Sequence, residues 1–129
     1  MHIVAALYIE AMDVRQVPGP STRIDLSGVF FSLPAPTAPP VTITPHLVVF
    51  VHVPAGDTAL HALNTVFFDA SGTEVLRSRQ PLTIEPGKFG YRLVRPELTF
   101  EDYGTITAEV RIDEGPPTRV PLTLLPPVA

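Results

Sequence analysis

The chain is expected to fold as an all-β protein: a two-sheet antiparallel β-sandwich, Ig-like, forming one domain over residues 1–129. Three observations lead there. Sixteen prolines and eight glycines interrupt the 129 residues every few positions and leave little room for a helix of three turns. Between them lie runs rich in Val, Ile, Thr, Phe and Leu, which suit a pleated, half-buried surface. The clearest run, GTITAEVRID at 104–113, alternates Ile106, Ala108, Val110 and Ile112 with Thr105, Thr107, Glu109 and Arg111. That period of two gives a strand one dry and one wet face, whereas a helix would scatter the same apolar residues around its axis.

Taken in order, strands are expected near 2–9, 22–33, 45–53, 59–68, 73–77, 81–85, 88–95, 104–112 and 118–125. The first is an apolar run that stops at Glu10, and RQVPGPS at 15–21 is read as the loop that follows. Residues 34–45, PAPTAPPVTITP, hold five prolines and are read as a stiff, extended crossing between sheets rather than as a PxxP peptide ligand. Pro54–Asp57, Asp69–Gly72 and Asp113–Pro116 are turns, with Gly72 suited to positive φ. Short strands at roughly ten-residue spacing, joined by Pro/Gly turns, are the pattern of a sandwich or barrel.

Composition narrows function by exclusion. A length of 129 residues suffices for one core without staples. Net charge −4 and a pI near 5.4, with a single lysine (Lys88) and eight scattered arginines that are read as forming no basic stripe, argue against nucleic acid, whose phosphates need clustered cations. The absence of cysteine removes disulfides, thiol nucleophiles and cysteine-based zinc sites, and fits a cytoplasmic location. MHIVAALYIE lacks the positive n-region of a signal peptide, and no stretch approaches the apolar length of a membrane span.

Two of the four histidines bracket HLVVFVH at 46–52. On a strand, His46, Val48, Phe50 and His52 share one face and Leu47, Val49, Val51 and Val53 the other. Six rises of about 3.3 Å separate the two histidines by roughly 20 Å, too far to share a zinc ion. A hairpin of 46–53 with 60–68 would instead set His52 opposite His61, with Asp57 as the nearby acid and His2 arriving from elsewhere. The preferred reading is strand-end histidines at a sheet margin, no metal, and a stability nearly independent of pH.

No G-x-S-x-G elbow, Walker loop or G-x-G-x-x-G occurs, and the carboxylates Glu97, Glu101, Asp102, Asp113 and Glu114 fall at strand ends and turns, where solvated acids are ordinary. No catalytic residue, cofactor or metal is assigned, and the chain is not read as an enzyme. Phe67, Phe89, Tyr91, Phe100 and Tyr103 are read as core or corner residues of the sandwich. Phe30-Phe31 is more informative, because neighbours on a strand face opposite ways. With Phe30 inside, Val29, Phe31 and Leu33 point outward beside Val41 and Ile43, forming an apolar patch that needs a partner, unless Gly28 marks a bulge that resets the faces.

The succession RIDLSGVFFSL, a proline-rich crossing, PHLVVFVHV, HALNTVFFDASGTEV and GTITAEVRIDEGPPTRVPLTL resembles a family of small uncharacterised bacterial single-domain β-sandwich proteins. Its members pair a G-V/I-F strand with an L-x-x-x-L-x-D-x-x-G hairpin and close with a strand, an Asp-Gly-like turn and a strand ending in P-L-x-V. Here the hairpin match runs through Leu63, Phe67, Asp69 and Gly72, and the closing pair through Val110, Asp113, Pro121 and Leu122. The last turn departs from the pattern, since Glu114-Gly115-Pro116-Pro117 is longer and stiffer than usual. The resemblance implies an Ig-like or similarly wound β-sandwich of one domain and transfers no catalytic residues. The functional expectation is a non-enzymatic module that self-associates or binds a protein partner, with no nucleic acid and no membrane span. The alternative is a small-ligand or carbohydrate binder using Tyr91, Tyr103 and the acids near them.

Overall fold

The computed structural model describes residues 1–18, 22–57 and 60–128. These form strands and no helix: β1 (His2–Ile9), β2 (Ala11–Gln16), β3 (Thr22–Ser27), β4 (Ser32–Pro34), β5 (Val41–Ile43), β6 (His46–His52), β7 (His61–Phe68), β8 (Glu74–Leu82), β9 (Phe89–Val94), β10 (Leu98–Phe100), β11 (Gly104–Ile112) and β12 (Thr118–Leu125). A five-stranded sheet runs β4-β12-β11-β7-β8, a three-stranded sheet runs β1-β6-β9, and β2-β3 and β10-β5 form two-stranded pieces. All pairings are antiparallel except the short one between β12 and β4.

The period-two pattern explains where the core sits. Ile106, Ala108 and Val110 of β11, Val120, Leu122 and Leu124 of β12, and Leu63 and Phe67 of β7 turn to one side of the five-stranded sheet. There they meet Ala6 and Tyr8 of β1, Leu47, Val49 and Val51 of β6, and Val94 of β9 in one continuous apolar cluster. The core thus lies between the two larger sheets, with Val41, Leu98 and Phe100 of the β5–β10 pair closing one side.

Three elements differ from the sequence expectation. Arg15 and Gln16 belong to β2, which pairs with β3 from Ala11↔Ser27 to Gln16↔Thr22, so the loop read over 15–21 is partly strand; Gly19, Pro20 and Ser21 lie outside the described residues. Val41–Ile43, inside the proline-rich crossing, is a strand. Residues 73–77 and 81–85 are not two strands: β8 runs unbroken through Pro81. It pairs with β7 alone and forms the sheet edge, where a residue without an N–H breaks no ladder.

The 22–33 run is interrupted as the glycine allowed. The Glu10 N–H lies 3.1 Å from the Ser27 carbonyl and 3.0 Å from that of Gly28, so two residues oppose one, as in a bulge. Gly28 has φ +64°, and a Cβ there would fall 2.4–2.8 Å from Glu10 side-chain carbons, so both conformation and space demand glycine. Beyond the bulge the chain re-pairs through Tyr8 and Phe30, the Phe30 N–H donating to the Tyr8 carbonyl at 3.0 Å.

Tyr8 is fully buried, and its hydroxyl has no hydrogen-bond partner among the described residues; burial pushes its pKa upward. An unpaired buried hydroxyl costs about 1–3 kcal/mol. Tyr8→Phe is therefore expected to leave the denaturation midpoint unchanged or raise it, and a fall of more than about 1 kcal/mol in urea titration would show that the hydroxyl is satisfied.

Candidate functional site

His52 and His61 lie in different sheets. β6 lies between β1 and β9, not beside β7, so the proposed hairpin is absent and His52 does not face His61. Pairing with β7 would have left the other sheet without its central strand; the chain instead crosses from one sheet to the other through the Pro54–Asp57 turn, whose Asp57 N–H donates to the Pro54 carbonyl at 3.0 Å.

His52 is instead the middle of a row of rings. Its register partners are His2 on β1 and Phe89 on β9. The His2 and His52 centroids are 5.3 Å apart, and those of His52 and Phe89 4.5 Å, within the range of aromatic pairs. By alternation from the core residue Val51, the row stands on the outer face of the three-stranded sheet. Phe50 and Tyr91 form the next row on that face, and Phe89 is 67% exposed. With Val14 and Ile24 of the β2–β3 hairpin, Phe50, Phe89 and Tyr91 line an open cleft of about 480 Å³ bordered by Glu85, Lys88 and Arg92.

His61 belongs to a different cluster. Its Nδ1 is 2.6 Å from Asp113 Oδ2, and its Nε2 is 3.0 Å from both Asp57 carboxylate oxygens. Carboxylates only accept, so both ring nitrogens are satisfied when both carry protons. Asp113, then Asp57, accordingly raises the His61 pKa above its ordinary 6.5, and His61 and the Ala62 N–H hold the Asp113 carboxyl below its usual range. Asp113 is further fixed because its Oδ1 accepts from the Ala62 N–H at 2.9 Å and its carbonyl accepts from Asn64 Nδ2 at 2.7 Å. Asp113 has φ +53°, a conformation that Asp tolerates better than most residues. The clamp ties the β6–β7 loop to the β11–β12 turn. Its carboxylates lie at opposite ring edges and both nitrogens are occupied, so it is a staple rather than a metal cage. Among the described residues no group of three or more His, Asp or Glu is placed to hold a metal ion. The sequence reading named Asp57 as the acid near His61 but missed Asp113, which is 52 residues from His61.

The five residues of the expected apolar patch divide. Val41 is buried in the core, and Leu33 and Ile43 are half-buried against it, a correction to the outward stripe. The break after Gly28 and the pairing of β5 with β10 turn these residues inward. Val29 and Phe31 are 46% and 45% exposed. Tyr91 and Tyr103 do not share a site: Tyr103 lines a separate cleft of about 450 Å³ with Asp69, Glu97, Glu101 and Asp102.

The class the structure defines is an all-β fold of several interacting sheets with its core between the two larger ones. The chain belongs to a family of unknown function, DUF6941, whose model matches residues 16–125. Neither a curated protein nor a solved structure matches the chain. No described helix is long and apolar enough to cross a membrane.

Proposed function

We propose that this chain is a non-enzymatic interaction module, a single Ig-like sandwich of bacterial, cytoplasmic type that self-associates or binds a protein partner through the outer face of its three-stranded sheet. The observation that carries this is the His2–His52–Phe89 row with Phe50 and Tyr91 beside it. Single exposed apolar residues are ordinary, but a row of rings spanning three strands at one end of a sheet face is not, and aromatic side chains are enriched at interface centres. Val29 and Phe31 extend the exposed apolar surface elsewhere on the molecule. The test is solution mass over a dilution series in 0.5 M salt, where apolar association persists. Mass is expected to rise with concentration and to stay at the monomer value for Phe89→Asp; a wild type that remains monomeric up to millimolar concentration would remove self-association.

A second reading, a small-ligand or carbohydrate binder, draws on the cleft of Tyr103 with Glu97, Glu101 and Asp102. A thermal-shift screen separates the two, since saturable stabilisation by one sugar or metabolite, lost in Tyr103→Ala, would favour it.

A further inference from the structure

The arginines that are scattered in sequence are not scattered in space. The registers Val66↔Arg77, Val66↔Glu109 and Glu109↔Arg119 place Arg77, Val66, Glu109 and Arg119 in one row across the five-stranded sheet. Asn64↔Arg79 and Arg111↔Asn64 make the adjacent row. All these residues alternate with core-facing neighbours, so four of the eight arginines stand on the outer face, two residues or about 7 Å apart along the strands. Two glutamates oppose them: Glu74 pairs with Arg77 at 2.6 Å, and Glu109 takes Arg111 at 3.3 Å and Arg119 at 3.5 Å. Arg79 has no ion pair among the described residues; the nearby Asp113 carboxylate, which it helps to hold below its usual pKa range, is already bound by His61. The Arg77 and Arg119 side chains are 67% and 66% exposed. A chain of net charge −4 thus presents one net-positive sheet face.

A group of acids lies at the other end of the same strands. The cleft beside Gly104 is lined by Asp69, Glu97, Glu101 and Asp102 and by no lysine or arginine. Glu97, Glu101 and Asp102 make no ion pair with any described residue. Along β11 the cleft end at Gly104 is five residues, on the order of 15 Å, from Glu109, and among the described residues no acid of the cleft forms a salt bridge with an arginine of the face.

We infer that the arginine face docks a second copy of this chain, whose acid-lined cleft rim supplies the complementary charge. The contact joins different surfaces of the two copies, so it is heterologous and propagates head to tail. Electrostatic complementarity of this kind fixes partner and register and weakens with salt. The inference shares with the proposed function only the premise that this chain associates; it uses other residues and has the opposite salt dependence.

The experiment is sedimentation equilibrium at low and high salt on three proteins, each carrying Phe89→Asp so that the aromatic face is silent: the Phe89→Asp parent, the parent with Arg77→Gln/Arg79→Gln, and the parent with Glu101→Gln/Asp102→Asn. The parent is expected to exceed the 14.0 kDa monomer mass at 20 mM salt and to lose at least tenfold in association constant at 0.5 M. Each charge-removal variant alone is expected to be monomeric. A one-to-one mixture of the two retains one intact arginine face and one intact acidic rim, and is expected to form a dimer that does not grow further; this rescue also shows that both variants are folded. A monomeric parent at low salt, undiminished association of either variant, or a mixture that stays monomeric would overturn it. A wild type that associates while the parent stays monomeric would sink this inference and leave the aromatic face standing.

Discussion

Phe67→Ala is expected to lower the unfolding free energy by about 3–5 kcal/mol, the usual cost of removing a fully buried aromatic ring. Phe67 sits on β7 between β8 and β11, shows no exposure and belongs to the core between the sheets. Its neighbours are held by ladders on both sides, so the site cannot collapse to fill the void. Phe67→Leu keeps more of the volume and should lose clearly less. Phe89→Ala is the control: an aromatic of the same size, 67% exposed, should change stability by no more than about 0.5 kcal/mol. Urea denaturation of the three variants checks this, and a loss at Phe89 as large as that at Phe67 would contradict the buried and exposed placement of the two rings. A domain has only about 5–15 kcal/mol to lose, so Phe67→Ala brings it close to unfolding.

The second large effect belongs to the His61 clamp. Asp113→Ala removes the acceptor for His61 and for the Ala62 N–H and places alanine at φ +53°. Allowing for the half-exposed Asp113 carboxylate, whose screening weakens the ion pair, the loss should be about 1–3 kcal/mol near pH 5.5. Its pH dependence has a definite sign. His61 is more basic in the folded chain than its ordinary 6.5, so its contribution is complete below that value and disappears as pH rises through the higher folded value. Asp113 is more acidic than its ordinary 3.8, so its contribution is present above that value and disappears as pH falls through the lower folded one. The difference in stability between wild type and Asp113→Asn should therefore peak between about pH 4 and 6.5 and shrink on both sides. The strand-end reading of His61 implies a flat difference. A proton NMR titration that placed the His61 midpoint at or below 6.5 would contradict the clamp.

Much of the fold was legible because alternation is a local property. β1, β6, β7, β11 and β12 appear where period two and apolar runs place them, and the turn at Asp69–Gly72 forms as its residues suggest. There Asp69 Oδ1 accepts from the Ser71 and Thr73 N–H groups, both at 3.0 Å, and Gly72 takes φ +85°. Strands of three residues were not legible. Val41–Ile43 and Leu98–Phe100 are too short to show a period and are specified by each other across the fold, as Thr42 and Thr99 show by sharing a 2.9 Å hydrogen bond between hydroxyls. Pro81 misled for a related reason: it lies on an edge strand, where it breaks no ladder. The strand expected over 118–125 does run through Pro121, on a stretch of β12 that β4, pairing only from Thr123 to Leu125, leaves uncovered.

The candidate sites were illegible for a different reason: they depend on which strands are neighbours. Arg77-Ser78-Arg79 and Glu109-Val110-Arg111 reveal side chains two residues apart on one face, yet only the order β12-β11-β7-β8 merges them into one charged surface. His52 likewise meets His2 and Phe89 only because β6 is central between β1 and β9. Gly28, a residue able to reset the faces, does form a bulge opposite Glu10, after which Phe30 packs against the core and Phe31 is half-exposed.

The sharpest test of the aromatic face as a recognition surface is a backbone NMR dilution series in 0.5 M salt. Concentration-dependent shifts are expected at amides around His2, His52, Phe89 and Tyr91, and none on the outer face of β8, β7, β11 and β12. Spectra that superimpose from micromolar to millimolar protein, or shifts confined to other surfaces, would contradict it.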